Sequence, residues 1–117
     1  MKKLIPLAFA LLAMPALADD AKVQSVSMSN SGGSYTFSVT ISHPDTGWDH
    51  YVDAWRVVAP DGTVLGMRKL AHPHVDEQPF TRSLSGVSIP EGITSVVIEA
   101  HDNVDGWSPN TKTVTLR

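Results

Sequence analysis

Residues 35–41 read Tyr-Thr-Phe-Ser-Val-Thr-Ile, an unbroken alternation of apolar and polar side chains. Only an extended chain puts every second side chain on one face, so this segment is a β-strand with one buried side. A strand of that kind needs a second layer to cover its apolar face. Similar segments recur along the chain. Val23–Met28 precedes the turn Ser31-Gly32-Gly33-Ser34, and Tyr51–Ala59 carries Val52, Trp55, Val57 and Val58. Pro60-Asp61-Gly62 then turns the chain into Thr63-Val64-Leu65 as a hairpin. Phe80–Leu84, Thr94–Ala100 after Pro90-Glu91-Gly92, and Lys112–Leu116 complete the set. No stretch has a helical period. About seven short strands separated by turns predict an all-β chain, an immunoglobulin-like two-sheet β-sandwich. With no Cys, it lacks the paired cysteines of antibody domains.

The first 18 residues read as an export signal rather than as part of the fold. Lys2 and Lys3 form a basic start, Leu4–Ala13 is apolar apart from Pro6, and Ala16-Leu17-Ala18 is a small-x-small cleavage site. The apolar run is too short to span a bilayer. The expected division is a signal peptide, 1–18, and one β-sandwich domain, 19–117, delivered to a bacterial periplasm. Beyond the signal, seven basic side chains stand against twelve acidic ones. No basic patch exists to displace counterions from phosphate, which argues against nucleic acid. The same charge argues against an anionic membrane surface, and no later stretch is long enough for a membrane anchor. Oxidising surroundings would permit disulfides, yet none can form.

Five histidines, His43, His50, His72, His74 and His101, all fall at or near strand ends. In a sandwich, such ends gather at two poles. His43 and His50 are separated by six residues and must lie close, and His101 joins them if its strand is a neighbour. Neutral imidazole is a common ligand for Zn, Cu, Fe and Ni. In His72-Pro73-His74, positions i and i+2 of an extended segment point the same way, and Pro73 stiffens the link. The metal-ligand candidates are therefore His43, His50 and His101, followed by His74 and His72. Asp45, Asp49, Asp53, Asp102 and Asp105 lie near them in sequence, and one or two are expected to orient ligand imidazoles. Trp48 and Trp107 sit in loops beside His50 and His101. They can wall a metal site or, in a metal-free recognition module, stack on sugars or a partner protein.

The run Ser42-His43-Pro44-Asp45-Thr46-Gly47-Trp48-Asp49-His50-Tyr51-Val52-Asp53-Ala54-Trp55 resembles the core motif of the desulfoferrodoxin/superoxide reductase family, His-Pro-x-Thr followed by His-Tyr-Ile-x-Trp. More loosely, Leu70, Pro73, Pro79 and Phe80 resemble the family's proline-containing stretch, and Asn103, Gly106 and Trp107 its Cys-Asn-x-His-Gly-x-Trp close. The resemblance implies an immunoglobulin-like sandwich with a mononuclear iron held by four His and one Cys thiolate, with His43 and His50 as the two motif ligands. This sequence has no Cys, its His43–His50 loop is one residue longer than the family spacing, and the family's first ligand histidine has no counterpart. An all-imidazole site suits Cu or Zn as well as Fe. The expectation is an exported protein that binds one transition-metal ion, Fe by resemblance. The alternative is a superoxide reductase-like oxidoreductase that meets a small oxidant and a redox partner.

Overall fold

The alternating segment becomes the middle strand of a three-stranded sheet. The computed structural model describes residues 20–116, so the expected signal at 1–18 lies outside the described residues. Eight strands follow in order: β1 (Lys22–Ser31), β2 (Ser34–Ser42), β3 (Val52–Val58), β4 (Val64–Lys69), β5 (Phe80–Ser88), β6 (Ser95–Asp102), β7 (Gly106–Trp107) and β8 (Lys112–Thr115). One antiparallel sheet has the order β1-β2-β5. The other has the order β4-β3-β6-β7, with β8 also paired to β6. The short β7 pairs His101 with Trp107 and Asp102 with Gly106, while β8 pairs the first half of β6. The described residues contain no helix long and apolar enough to cross a membrane.

The two sheets face each other across Phe37, Val39 and Ile41 on one side and Trp55, Val57 and Ile98 on the other, none of them exposed. Each side chain of this size buried from water contributes about 1.5–3 kcal/mol. At the β4–β5 edge the sheets close over Gly66. A Cβ there would meet Leu84 Cδ2 at 3.1 Å and Val87 Cγ2 at 3.4 Å, so the missing side chain permits the approach.

The outward face of the smaller sheet is built of hydroxyls. Ser38–Ser83 and Thr40–Thr81 pair at 2.7 Å and Thr36–Ser85 at 3.2 Å. Ser25, Ser27 and Ser29 of β1 register opposite Thr40, Ser38 and Thr36. This explains why β1 and β5 are longer than their apolar patterns predict. Small polar residues weaken the hydropathy signal while remaining compatible with the ladder.

In the larger sheet, Val52 pairs with Asp102 and Ala54 with His101, leaving Asp53 as an extra residue in β3. This β-bulge shifts the alternation by one. Val52 and Trp55 are both fully buried although three positions apart.

Candidate metal centre

Two loops build the site at one pole of the sandwich. β2 ends at Ser42, and residues 46–50 fold back on themselves. Thr46 N–H donates to His50 O (3.0 Å) and His50 N–H to Gly47 O (3.2 Å). Gly47 has φ 138°, a conformation that side chains rarely adopt. The fold-back brings the His43 and His50 rings edge to face, with centroids 4.7 Å apart. The second loop follows β6. Asp102 Oδ1 accepts from the N–H groups of Val104 (2.9 Å) and Asp105 (2.6 Å), a turn closed by an aspartate side chain. Asn103 joins the loops: its Oδ1 accepts from Tyr51 N–H (2.8 Å), and its Nδ2 donates to the carbonyls of Trp48 (3.1 Å) and Asp49 (3.3 Å).

Four donor atoms, one each from His43, His50, Asp102 and Asp105, lie within 4.8 Å of one another. His50 Nε2 is 3.1 Å from Asp102 Oδ1 and 3.2 Å from Asp105 Oδ2, and it donates because a carboxylate can only accept. His43 Nδ1 is 2.6 Å from Asp45 Oδ1, so by the same rule that nitrogen carries the proton. In the neutral ring Nε2 then bears a lone pair. It faces Asp102 Oδ2 at 3.8 Å; both atoms are buried, and neither has a hydrogen-bond partner. Two acceptors confronting each other away from water are unfavourable, and either a proton on Nε2 or a metal ion between them removes the conflict.

The other candidate histidines lie elsewhere. In β6, Val96, Ile98, Ala100 and Asp102 are buried, and the intervening residues, His101 among them, face outward. His101 Nδ1 bonds to Asp53 Oδ1 at 2.5 Å, and its ring meets Trp107 edge-on at 4.8 Å. They border a depression of about 430 Å³ on the outer sheet face, which also touches Tyr51, Met67 and Lys69. His74 is buried, stacked on Phe80 with centroids 3.9 Å apart, and its Nε2 accepts from Arg82 (3.0 Å). Burial, then the Arg82 charge, then His72 hold its pKa below the ordinary histidine value, against the weaker pull of Glu77 and Asp45. His72 turns its Nδ1 to the carbonyl of Pro73 (2.8 Å). The structure therefore gathers His43 and His50 and keeps His101, His72 and His74 apart from them.

Asp102 and Asp105 enter the cluster directly, where sequence reasoning gave nearby carboxylates only an orienting part. The signal for Asp102 was present, because it continues the buried series Val96, Ile98, Ala100 while His101 is out of phase with it. Asp45 does take the orienting position, against His43.

No protein-family model matches the chain. It is 43% identical over 89 residues to a "Putative lipoprotein" of Halomicrobium mukohataei, a match that takes in 75% of this chain and 43% of that protein. The chain thus spans less than half the length of this relative. Among solved structures it is similar to a hypothetical protein from Pyrococcus horikoshii OT3, with TM-score 0.57 and 13% identity over 86% of this chain and 93% of that one. It is also similar to a superoxide reductase in the oxidized state, with TM-score 0.54 and 14% identity over 84% and 90% of the two chains. These two likenesses are of fold: the chain shares the β-sandwich of a superoxide reductase.

Proposed function

We propose that the protein is an exported metal-binding domain that holds one divalent transition-metal ion between His43, His50, Asp102 and Asp105. The observation that carries this reading is the buried pair His43 Nε2 and Asp102 Oδ2, two acceptors face to face without partners. A single metal ion satisfies both. The fit is to a nitrogen-and-oxygen ion. With no Cys in the chain, the thiolate-ligated iron implied by the family resemblance does not match these donors. Two imidazoles and two carboxylates suit Fe(II) or Zn(II) and disfavour the soft Cu(I).

An ion bound here supplies Lewis acidity and, if it is iron, one-electron chemistry. The chain's own residues fix its surroundings. Asp45 keeps the His43 proton on Nδ1 and so points Nε2 toward Asp102. Asp105, a third exposed, forms the solvent side, and Trp48 and Val104 of the same two loops are 64% and 60% exposed. Export is supported by the basic, apolar and small-residue pattern of residues 1–18 and by the description of the Halomicrobium mukohataei relative as a lipoprotein. The fold of superoxide reductase and the His43–Trp55 run support a second reading, turnover of a small oxidant. The missing thiolate favours binding over that reaction.

Elemental analysis of the purified protein, before and after loading with Fe(II), Zn(II) or Cu(II), tests the proposal. One ion per chain is expected, lost in His43→Ala and His50→Ala and kept in His101→Ala. A protein that takes up none of the three, or that loses its ion only on the His101 substitution, overturns it. Visible spectra of the iron form under oxidant and reductant, together with a superoxide-consumption assay, separate the two readings: a carrier gives neither a redox response nor consumption.

A further inference from the structure

We propose that the loop between β4 and β5, residues 70–79, closes with Asp45 of the β2–β3 loop into a clamp that fixes His43 for metal binding, with Gln78 and Asp45 as the positioning residues. The inference rests on the metal-binding reading and adds to it a part of the chain that touches no ligand atom. Four hydrogen bonds form a closed circuit. His43 N–H donates to Gln78 Oε1 (2.9 Å), and Gln78 Nε2 donates to His74 O (2.9 Å). His74 N–H donates to Asp45 Oδ2 (2.8 Å), and Asp45 Oδ1 accepts from His43 Nδ1 (2.6 Å). The circuit begins and ends on His43. It holds the residue at two points, the backbone N–H and the ring Nδ1–H, which together fix the backbone and the ring plane and leave Nε2 free. Asp45 accepts a third bond, from Val52 N–H (3.1 Å), which ties the clamp to the first residue of β3. The Asp45 half of the circuit is buried and the half made by the exposed Gln78 is part-buried; linked bonds polarise one another, most strongly on the buried side.

The clamp also draws on His74, which the metal cluster does not use. His74 contributes its backbone N–H and carbonyl to the circuit, while its ring is anchored by Phe80 and Arg82. The most histidine-dense segment of the chain thus acts on the centre through its main chain. The partner of a ligand imidazole's other ring nitrogen is worth about 10–100-fold in metal affinity, and Asp45 holds that place beside His43.

The test uses Gln78→Leu, which keeps the bulk and loses both bonds, and Gln78→Glu, which keeps an oxygen for His43 N–H. Zn(II) affinity is measured by competition with a chelating dye, and the Co(II) visible spectrum reports geometry at the ion. Gln78→Leu is expected to bind on the order of tenfold more weakly, the low end for outer partners of a ligand histidine, with an altered Co(II) spectrum, and Gln78→Glu to recover only the part carried by the His43 N–H bond, because its second oxygen faces the His74 carbonyl. Asp45→Asn breaks the circuit at its other end and tests the same claim if Gln78→Leu does not fold. Folded Gln78→Leu with wild-type affinity and spectrum overturns the clamp while leaving the metal centre standing. A wild-type protein that binds neither ion overturns the metal reading. In that case the metal-free protein decides: His43 ring resonances that are single in wild type must broaden or double in Gln78→Leu, and unchanged resonances dispose of the clamp as well.

Discussion

Asp102→Asn exchanges one carboxylate oxygen for an amide nitrogen and should move two properties in opposite directions. The oxygen that remains can keep the bonds from Val104 N–H, Asp105 N–H and His50, now made by Asp102 Oδ1 at 2.6–3.1 Å. The amide nitrogen takes the position of Oδ2, which faces His43 Nε2 at 3.8 Å without a partner. An approach of about 0.8 Å makes an N–H···N hydrogen bond where two acceptors stood. The variant gains one net hydrogen bond, about 0.5–1.5 kcal/mol, and sheds a buried charge lacking a full set of partners. The metal-free protein should therefore be stabilised by about 1–2 kcal/mol, a rise in Tm of roughly 5–15 °C for a domain of this size. Metal affinity should fall by on the order of a hundredfold or more. A direct anionic ligand is lost, and even outer partners are worth about 10–100-fold. Thermal unfolding in excess chelator reads the first quantity and dye competition reads the second. If metal-free Asp102→Asn melts below wild type and binds metal as well as wild type, a proton on His43 is the missing counter-charge, and the reasoning behind the centre fails.

Two further perturbations test the surroundings of the site. His74 has a lowered pKa, so below about pH 6.5 the unfolded chain binds more protons than the folded one, and stability falls as pH drops toward the folded value. In His74→Gln, whose amide oxygen can still accept from Arg82, the urea midpoint of the metal-free protein should vary less between pH 7 and 5; an equal or steeper slope assigns the pH dependence elsewhere. At Gly66, strand propensity alone favours valine, yet the inter-sheet contacts already at 3.1 and 3.4 Å from a Cβ predict that Gly66→Val costs about 1–3 kcal/mol. Stabilisation by that change in denaturant titration would contradict the described closeness of the sheets.

The strand pattern was legible wherever side chains alternate between oil and water, as in Tyr35–Ile41 and Thr94–Ala100. It faded where the open face carries hydroxyls, which is why β5 extends beyond Leu84 to Ser88. The two-residue β7 owes its pairing to the turn at Asp102–Gly106 and has no pattern of its own to read. The closeness of His43 and His50 followed from the short loop between them. His101 was chosen by residue type, and strand phase then determined its direction: it shares an outer row with Ala54, while Asp102 beside it turns inward. Asp105 entered through a turn rather than a strand, where no periodicity reports direction. The clamp depends on contacts between residues up to 35 apart in sequence, and only the folded chain discloses those.

Asp53 is the one residue by which β3 exceeds its partner β6 at this point in the ladder. Shortening the strand there would leave a regular ladder. It would also turn Val52 over, so that the N–H now offered to Asp45 would lie on the wrong side of the chain. The hydrophobic interior from Trp55 onward and the loop preceding Val52 obey different phases of the same strand, and this single surplus residue lets both be satisfied. A homologue one residue shorter here could keep the sandwich and still lose the support beneath His43.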